Sequence, residues 1–179
     1  MPSSDRSLPE PWLQGTLADV PPVQRAVLHA LELARLDAGR FCAELTDVEI
    51  NARPIGLAPV AFHLRHIARS IDRLLTYAEG RSLSNEQSAA LKSELDASST
   101  KDEVMSELLH ALTAAESRIR AFDATRLNEA RNVGRKQLPS TLAGLLIHIA
   151  DHTQRHVGQA ITTAKVLLAQ RPKSDGSTD

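Results

Sequence analysis

The chain has 179 residues, 42% of them hydrophobic and only 3% aromatic, which fits one helical domain with an aliphatic core. Its 21 basic and 22 acidic side chains give a net charge of −1, which argues against a nucleic-acid-binding surface and an electrostatic membrane anchor. No signal-peptide pattern or apolar run of about 18 residues is present, and the single cysteine, Cys42, fits a reducing compartment. We expect a soluble, cytoplasmic protein with neither membrane nor nucleic-acid partners.

The first two predicted elements are an irregular arm and a long helix. Residues 1–19 contain three prolines and one glycine, which predicts an arm with Trp12 as its anchor. An apolar repeat with spacings of three and four then predicts a first helix from about Asp19 to Thr46. The repeat consists of Val27, Leu31, Ala34, Ala38, Phe41 and Leu45.

A proline- and glycine-rich loop, residues 51–59, precedes the second helix, which an apolar stripe predicts from Pro59 to Ala78. Residues 81–99 are polar and are expected to cross the molecule. Within them, Ser84 and Gln87 form a capping-box pattern that predicts a short helix. Thr100 and Glu103 repeat that pattern and begin the third long helix.

The last predicted elements are a basic turn within residues 124–139 and a fourth helix, capped by Ser140 or Thr141, that ends near Gln170. No strand is expected. Four amphipathic helices predict an all-α four-helix bundle. The expected organisation is an irregular arm at 1–19, the bundle at 20–170 and a disordered tail at 171–179.

Five of the seven histidines form two clusters, one on each of two predicted helices. The clusters are His63/His66 on the second helix and His148/His152/His156 on the fourth. His152 and His156 are four residues apart, so their imidazoles lie one turn apart on one helical face. They also continue an apolar seam of the fourth helix, where unpartnered polar groups cost about 1–3 kcal/mol each. A shared metal ion would satisfy both rings, and a third histidine would complete the site.

The sequence leaves the third ligand open. The side-chain directions on an ideal helix, at 100° per residue, slightly favour His63 over His66 as the inward-facing histidine of the second helix. His148 lies about 40° away from the direction of His152 and is an alternate ligand, an outer partner of the site or simply the edge of the stripe.

The histidine motifs resemble those of the DinB-like superfamily of metalloenzymes. The matching text is His66-Ile67-Ala68 on the second helix and His-x3-His-x-Gly-Gln over residues 152–159 of the fourth. The resemblance implies a four-helix bundle with a long crossover between helices 2 and 3, and it covers residues 20–168. It maps the family's metal ligands onto His66, His152 and His156, with His63 and His148 as extra histidines. Where relatives often carry an acidic residue or histidine after the first ligand, this chain has Ser70.

The resemblance also implies a type of chemistry. Three histidines leave open coordination positions, as in catalytic sites, and imidazole ligands suit Zn²⁺ or Ni²⁺. Characterised members include transferases and isomerases that use a low-molecular-weight thiol, so we expect such a metalloenzyme, with Gln159 and Arg155 orienting a small-molecule substrate. The rival hypotheses are a hydrolase with a metal-activated water and a non-catalytic metal-binding or stress-response module. Relatives often form homodimers, and we expect one here.

Overall fold

The computed structural model describes residues 9–95 and 99–172. Its helices are α1 (Pro22–Cys42), α2 (Asp47–Asn51), α3 (Val60–Ala78), α4 (Asn85–Ala90), α5 (Lys101–Arg120) and α6 (Leu142–Ala169). The four long helices contact one another in the cyclic order α1, α6, α3, α5. The predicted all-α four-helix bundle is confirmed, and the segment from α3 to α5 is its long crossover.

Side-chain caps begin several helices where the sequence predicts them. The Ser84 hydroxyl accepts from the Gln87 backbone N–H at the start of α4, and Thr100 and Glu103 form the equivalent box on α5. Thr141 caps α6, with its Oγ1 accepting from the Gly144 N–H. Each cap satisfies backbone donors that a helix start leaves without a partner, so local sequence determines where these helices begin.

The first predicted helix is shorter than expected. It ends at Cys42, and a second capping box formed by Thr46 and Glu49 starts the separate helix α2. Trp12 is not the anchor of the arm, because its side chain is 61% exposed and Pro11 is the buried residue. Arg171 donates to the Glu49 carboxylate, while residues 173–179 of the expected tail lie outside the described residues.

The expectation of no strand was wrong between α5 and α6. Strands β1 (Ala130–Val133) and β2 (Leu138–Thr141) form an antiparallel hairpin. Arg131 donates from Nε to the Ala78 carbonyl at 2.6 Å, which fixes the hairpin at the end of α3. Because Ala78 is twelve residues beyond His66, the hairpin lies about 18 Å along α3 from that histidine.

The buried face of α6 departs from the predicted seam in its second half. Thr153, Val157 and Ala160 are buried there, and Gln159 is exposed. A repeat of three and four drifts by about 20° per heptad relative to a straight helix, which amounts to about 50° from Leu142 to Gln159. The seam therefore rotates out of the core, and its polar residues lie at the edge of the buried face. No described helix is long and apolar enough to cross a membrane.

Candidate metal centre

Three histidines from two neighbouring helices meet at the edge of the core. His66 lies on α3, and His152 and His156 lie one turn apart on α6. Their ring centroids are 4.4 to 5.0 Å apart, and one nitrogen from each ring lies within 4.8 Å of the other two. All three rings are half-buried, so the cluster has one side in the core and one side open.

The donor atoms have a spacing that suits one ion. Nε2 of His66 and Nε2 of His152 are 3.0 Å apart. Two imidazole nitrogens bound tetrahedrally to Zn²⁺ at 2.0–2.1 Å are separated by about 3.3 Å. The pair is thus already close to ligating distance. The Ser70 hydroxyl lies 3.3 Å from the same His152 nitrogen and donates to the His66 carbonyl.

The two remaining cluster histidines occupy different surroundings. His63 is buried, and its Nδ1 lies 3.0 Å from Nδ1 of His156. His63 therefore contacts the three-histidine cluster at the ring of His156. His148 is exposed and pairs with Asp151, with 2.9 Å between Nδ1 and Oδ1. His63 thus lies on the buried side of the cluster, whereas His148 lies on its solvent-exposed side.

Burial and mutual proximity keep the α6 imidazoles neutral. Burial, followed by the neighbouring charges of His66 and Arg155, lowers the pKa of His156 to about 4. The pKa of His152 is lowered to about 4 by burial and by the nearby histidines, and burial lowers that of His63 similarly to about 4. Neutral imidazole carries the lone pair that binds a metal ion, so at neutral pH these rings are in the ligating form.

A carboxylate from the crossover contacts the cluster. Oε2 of Glu94 is 2.7 Å from Nδ1 of His66, and its Oε1 accepts from Arg73 at 2.8 Å. Glu94 is only 5% exposed. Burial raises the pKa of its carboxyl, but the hydrogen bonds from His66 and Arg73 outweigh burial, so the pKa lies below its usual value. Glu94 is thus a buried, ionised partner of His66.

An open cavity of about 520 Å³ adjoins the cluster on the α6 side. It is lined by Leu57, Ala58, Phe62, His63, Arg155, His156, Gly158, Gln159, Thr162 and Thr163. Its volume falls in the range of small-molecule sites. A second cavity, under the crossover, is lined by none of the clustered histidines, whereas His63 and His156 both line the cavity of about 520 Å³.

The sequence model of the DinB superfamily matches residues 30–160, more than half of the chain. The chain belongs to the DinB superfamily. The match includes α3, the crossover, α5 and the histidines of α6. A comparison with curated proteins found no match.

The sequence alone indicated the histidine pattern, but it did not indicate Glu94, the carboxylate that contacts His66. His66, His152 and His156 converge in this DinB protein, and Arg155 and Gln159 both line the cavity. Sequence reasoning missed Glu94 because it lies in a polar segment without periodicity, 28 residues from His66. Only the path of the crossover brings the two residues together.

Proposed function

We propose that this DinB protein is a metalloenzyme that binds one divalent ion through His66, His152 and His156 and catalyses a thiol-dependent transfer or isomerisation. The observation that carries the proposal is the convergence of three imidazoles, one of which, that of His156, lines an open, substrate-sized cavity. Zn²⁺ or Ni²⁺ suits this donor set. With three protein ligands, coordination positions stay available for an exogenous group. A bound ion would lower the pKa of a thiol or water and so supply a nucleophile.

The cavity supports a small-molecule substrate with a polar or anionic part. Phe62 and Leu57 give it apolar surface, while Arg155 and Gln159 contribute a cation and an amide. Arg155 is exposed and shares its charge with Asp151, 3.3 Å away. We propose that Gln159 and Arg155 orient the substrate at the mouth of the cavity, with its reacting atom towards His156.

Any reacting thiol has to come from a separate molecule. Cys42 is the one cysteine of the chain. It is 1% exposed, and burial raises the pKa of its thiol to about 11. A buried, protonated thiol is a poor nucleophile. A thiol-dependent reaction would therefore take its thiol from a cosubstrate, for which we propose a low-molecular-weight thiol.

Among the described residues, we find no free carboxylate at the cluster that could act as the general base of a hydrolase. A metal-activated water usually works with a general base. Glu94, the carboxylate that contacts the cluster, is held by both His66 and Arg73, and Asp151 is exposed and paired with His148 and Arg155. This arrangement supports the thiol-dependent reaction over hydrolysis.

The test begins with protein purified without a histidine tag, because a tag binds the same ions. Elemental analysis should find about one divalent ion per chain. The metal-loaded protein is then incubated with a chromogenic electrophile, with and without each of several low-molecular-weight thiols. We expect product only with a thiol, and none after chelation or in His152→Ala. Turnover without a thiol would favour the hydrolase, and a fully loaded protein inactive with every thiol and electrophile would favour a binding module.

A further inference from the structure

Glu94 makes two directed hydrogen bonds from one buried position on the crossover. Oε2 of Glu94 meets Nδ1 of His66 at 2.7 Å, and Oε1 accepts from Nη1 of Arg73 at 2.8 Å. The carboxylate side chain is 6% exposed and that of Arg73 12%. Both carboxylate oxygens therefore have protein partners, and the group has a fixed orientation.

An ionised carboxylate can only accept hydrogen bonds, so the bonded nitrogen of His66 must carry the hydrogen. The other nitrogen, Nε2, is then free of hydrogen in the neutral ring. Nε2 is also the nitrogen that lies 3.0 Å from His152. The contact with Glu94 thus determines which atom of His66 presents its lone pair to the cluster.

We propose that Glu94 is a positioning residue that holds His66 in the Nδ1–H tautomer and directs its Nε2 lone pair to the metal ion. The metal part of this inference rests on the proposed function, whereas the tautomer part concerns the protein itself. Carboxylates that bond the outer nitrogen of a ligating histidine orient the ring and increase its basicity. Losing such a partner typically weakens metal binding by about 10- to 100-fold.

Two arginines of α3 hold the crossover so that Glu94 reaches His66. Arg73 binds the carboxylate itself, seven residues after His66 on the same helix. Arg69 donates to the Ala90 carbonyl and to the Ser93 hydroxyl, immediately before Glu94 in the chain. It also pairs with Glu107 of α5. The segment from α4 to Glu94 is therefore attached to α3 on the side of His66.

The first experiment reads the tautomer by two-bond ¹H–¹⁵N correlation spectra of ¹⁵N-histidine-labelled protein at neutral pH, without metal. In the natural chain, His66 should show the Nδ1–H pattern. In Glu94→Ala it should shift towards Nε2–H or a mixture. Glu94→Gln keeps an acceptor oxygen of similar shape, so it should retain more of the Nδ1–H form than Glu94→Ala does. Glu116→Gln is the matched control, because it removes an exposed carboxylate of α5 that pairs with Arg120, outside the contacts that hold the crossover, and its spectrum should match the natural one.

The second experiment titrates the same four proteins with Zn²⁺. Affinity should fall by about 10- to 100-fold in Glu94→Ala, fall less in Glu94→Gln and stay unchanged in Glu116→Gln. Circular dichroism checks that each variant is folded, and if Glu94→Ala does not fold, Glu94→Met, which fills a similar volume without an acceptor oxygen, replaces it in both experiments. An unchanged His66 tautomer in the variant without an acceptor oxygen overturns the proposal, as does a loss of affinity in that variant without a change of tautomer. If the natural chain binds no Zn²⁺, the proposed function fails, while the metal-free spectra still decide whether Glu94 controls His66.

Discussion

Nε2 of His66 and Nε2 of His152 lie 3.0 Å apart, although 86 residues separate them in the chain. The pair joins α3 and α6 at the edge of the bundle, beside core positions such as Ile67 and Ile149 that are fully buried. Aliphatic packing between the two helices therefore holds the histidines close to one another. The candidate site is a polar layer at the margin of a core that continues on both sides.

Replacing either histidine of α6 should remove stoichiometric metal binding. His152→Ala and His156→Ala each delete one of three proposed donors, and the remaining two rings hold an ion weakly. Isothermal titration with Zn²⁺ or Ni²⁺ measures this directly. His148→Ala is the matched control, because His148 is on the same helix but exposed and paired with Asp151. If His152→Ala or His156→Ala bound the metal ion as tightly as the natural chain does, the ligand assignment would be contradicted.

On α3, His66→Ala should weaken metal binding far more than His63→Ala. Nε2 of His66 faces Nε2 of His152, whereas Nδ1 of His63 contacts Nδ1 of His156. We expect a loss of more than about 100-fold for His66→Ala, larger than the effect of removing an outer hydrogen-bond partner. The measurement is the ratio of the two dissociation constants for Zn²⁺. The reverse order would mean that His63 is the ligand of α3.

The sequence was sufficient for the bundle and for the histidine motif, because both depend on local periodicity. Capping pairs such as Thr100 and Glu103 fix helix starts within four residues of chain. The third histidine was harder: the angle on an ideal helix favours His63, and the family motif favours His66. In the structure, His63 and His66 both contact histidines of α6. A helical wheel describes one helix alone and cannot represent contacts between two helices. The contact of Glu94 with His66 depends on the path of the crossover, whose sequence has no hydrophobic repeat. No local sequence pattern could therefore predict that contact.

Cys42 should be almost unreactive in the folded protein. Burial raises the pKa of its thiol from about 9 to about 11, so the reactive thiolate is scarce at pH 8. Because the folded-state pKa is raised, the associated stability is present below pH 9 and is lost as the pH rises towards 11. The rate of iodoacetamide labelling checks this, with urea-denatured protein reacting at the normal rate. Ser117→Cys, at an exposed position of α5, supplies a control thiol that should react quickly.

We also predict a homodimer in solution. Family resemblance is the basis of this prediction, and the exposed Trp12, Leu13 and Leu36 offer apolar surface that a second copy could cover. Multi-angle light scattering should give about twice the chain mass of 19.5 kDa. A single species at 19.5 kDa over a wide concentration range would contradict the prediction.

Metal removal should leave the bundle folded while it eliminates activity. The buried aliphatic residues of the four long helices form one continuous cluster that extends from Val27 and Leu31 on α1 to Leu167 on α6. The three histidines are only half-buried and lie at the edge of this core, so most of its packing does not depend on the ion. The site thus differs from a structural zinc site in a very small domain, where metal binding and folding are the same event.

Chelation therefore costs the protein only the binding free energy linked to folding, a few kcal/mol at saturating metal. The half-buried rings of His66, His152 and His156 can be hydrated through the open side of the cluster once the ion has left. Far-UV circular dichroism after dialysis against a chelator should keep its helical signal at room temperature, with a lower midpoint in the thermal melt. Re-addition of Zn²⁺ should restore both the midpoint and the activity. Loss of helix at room temperature would make the ion structural, and the enzyme proposal would lose its basis because the loss of activity could then be explained by unfolding.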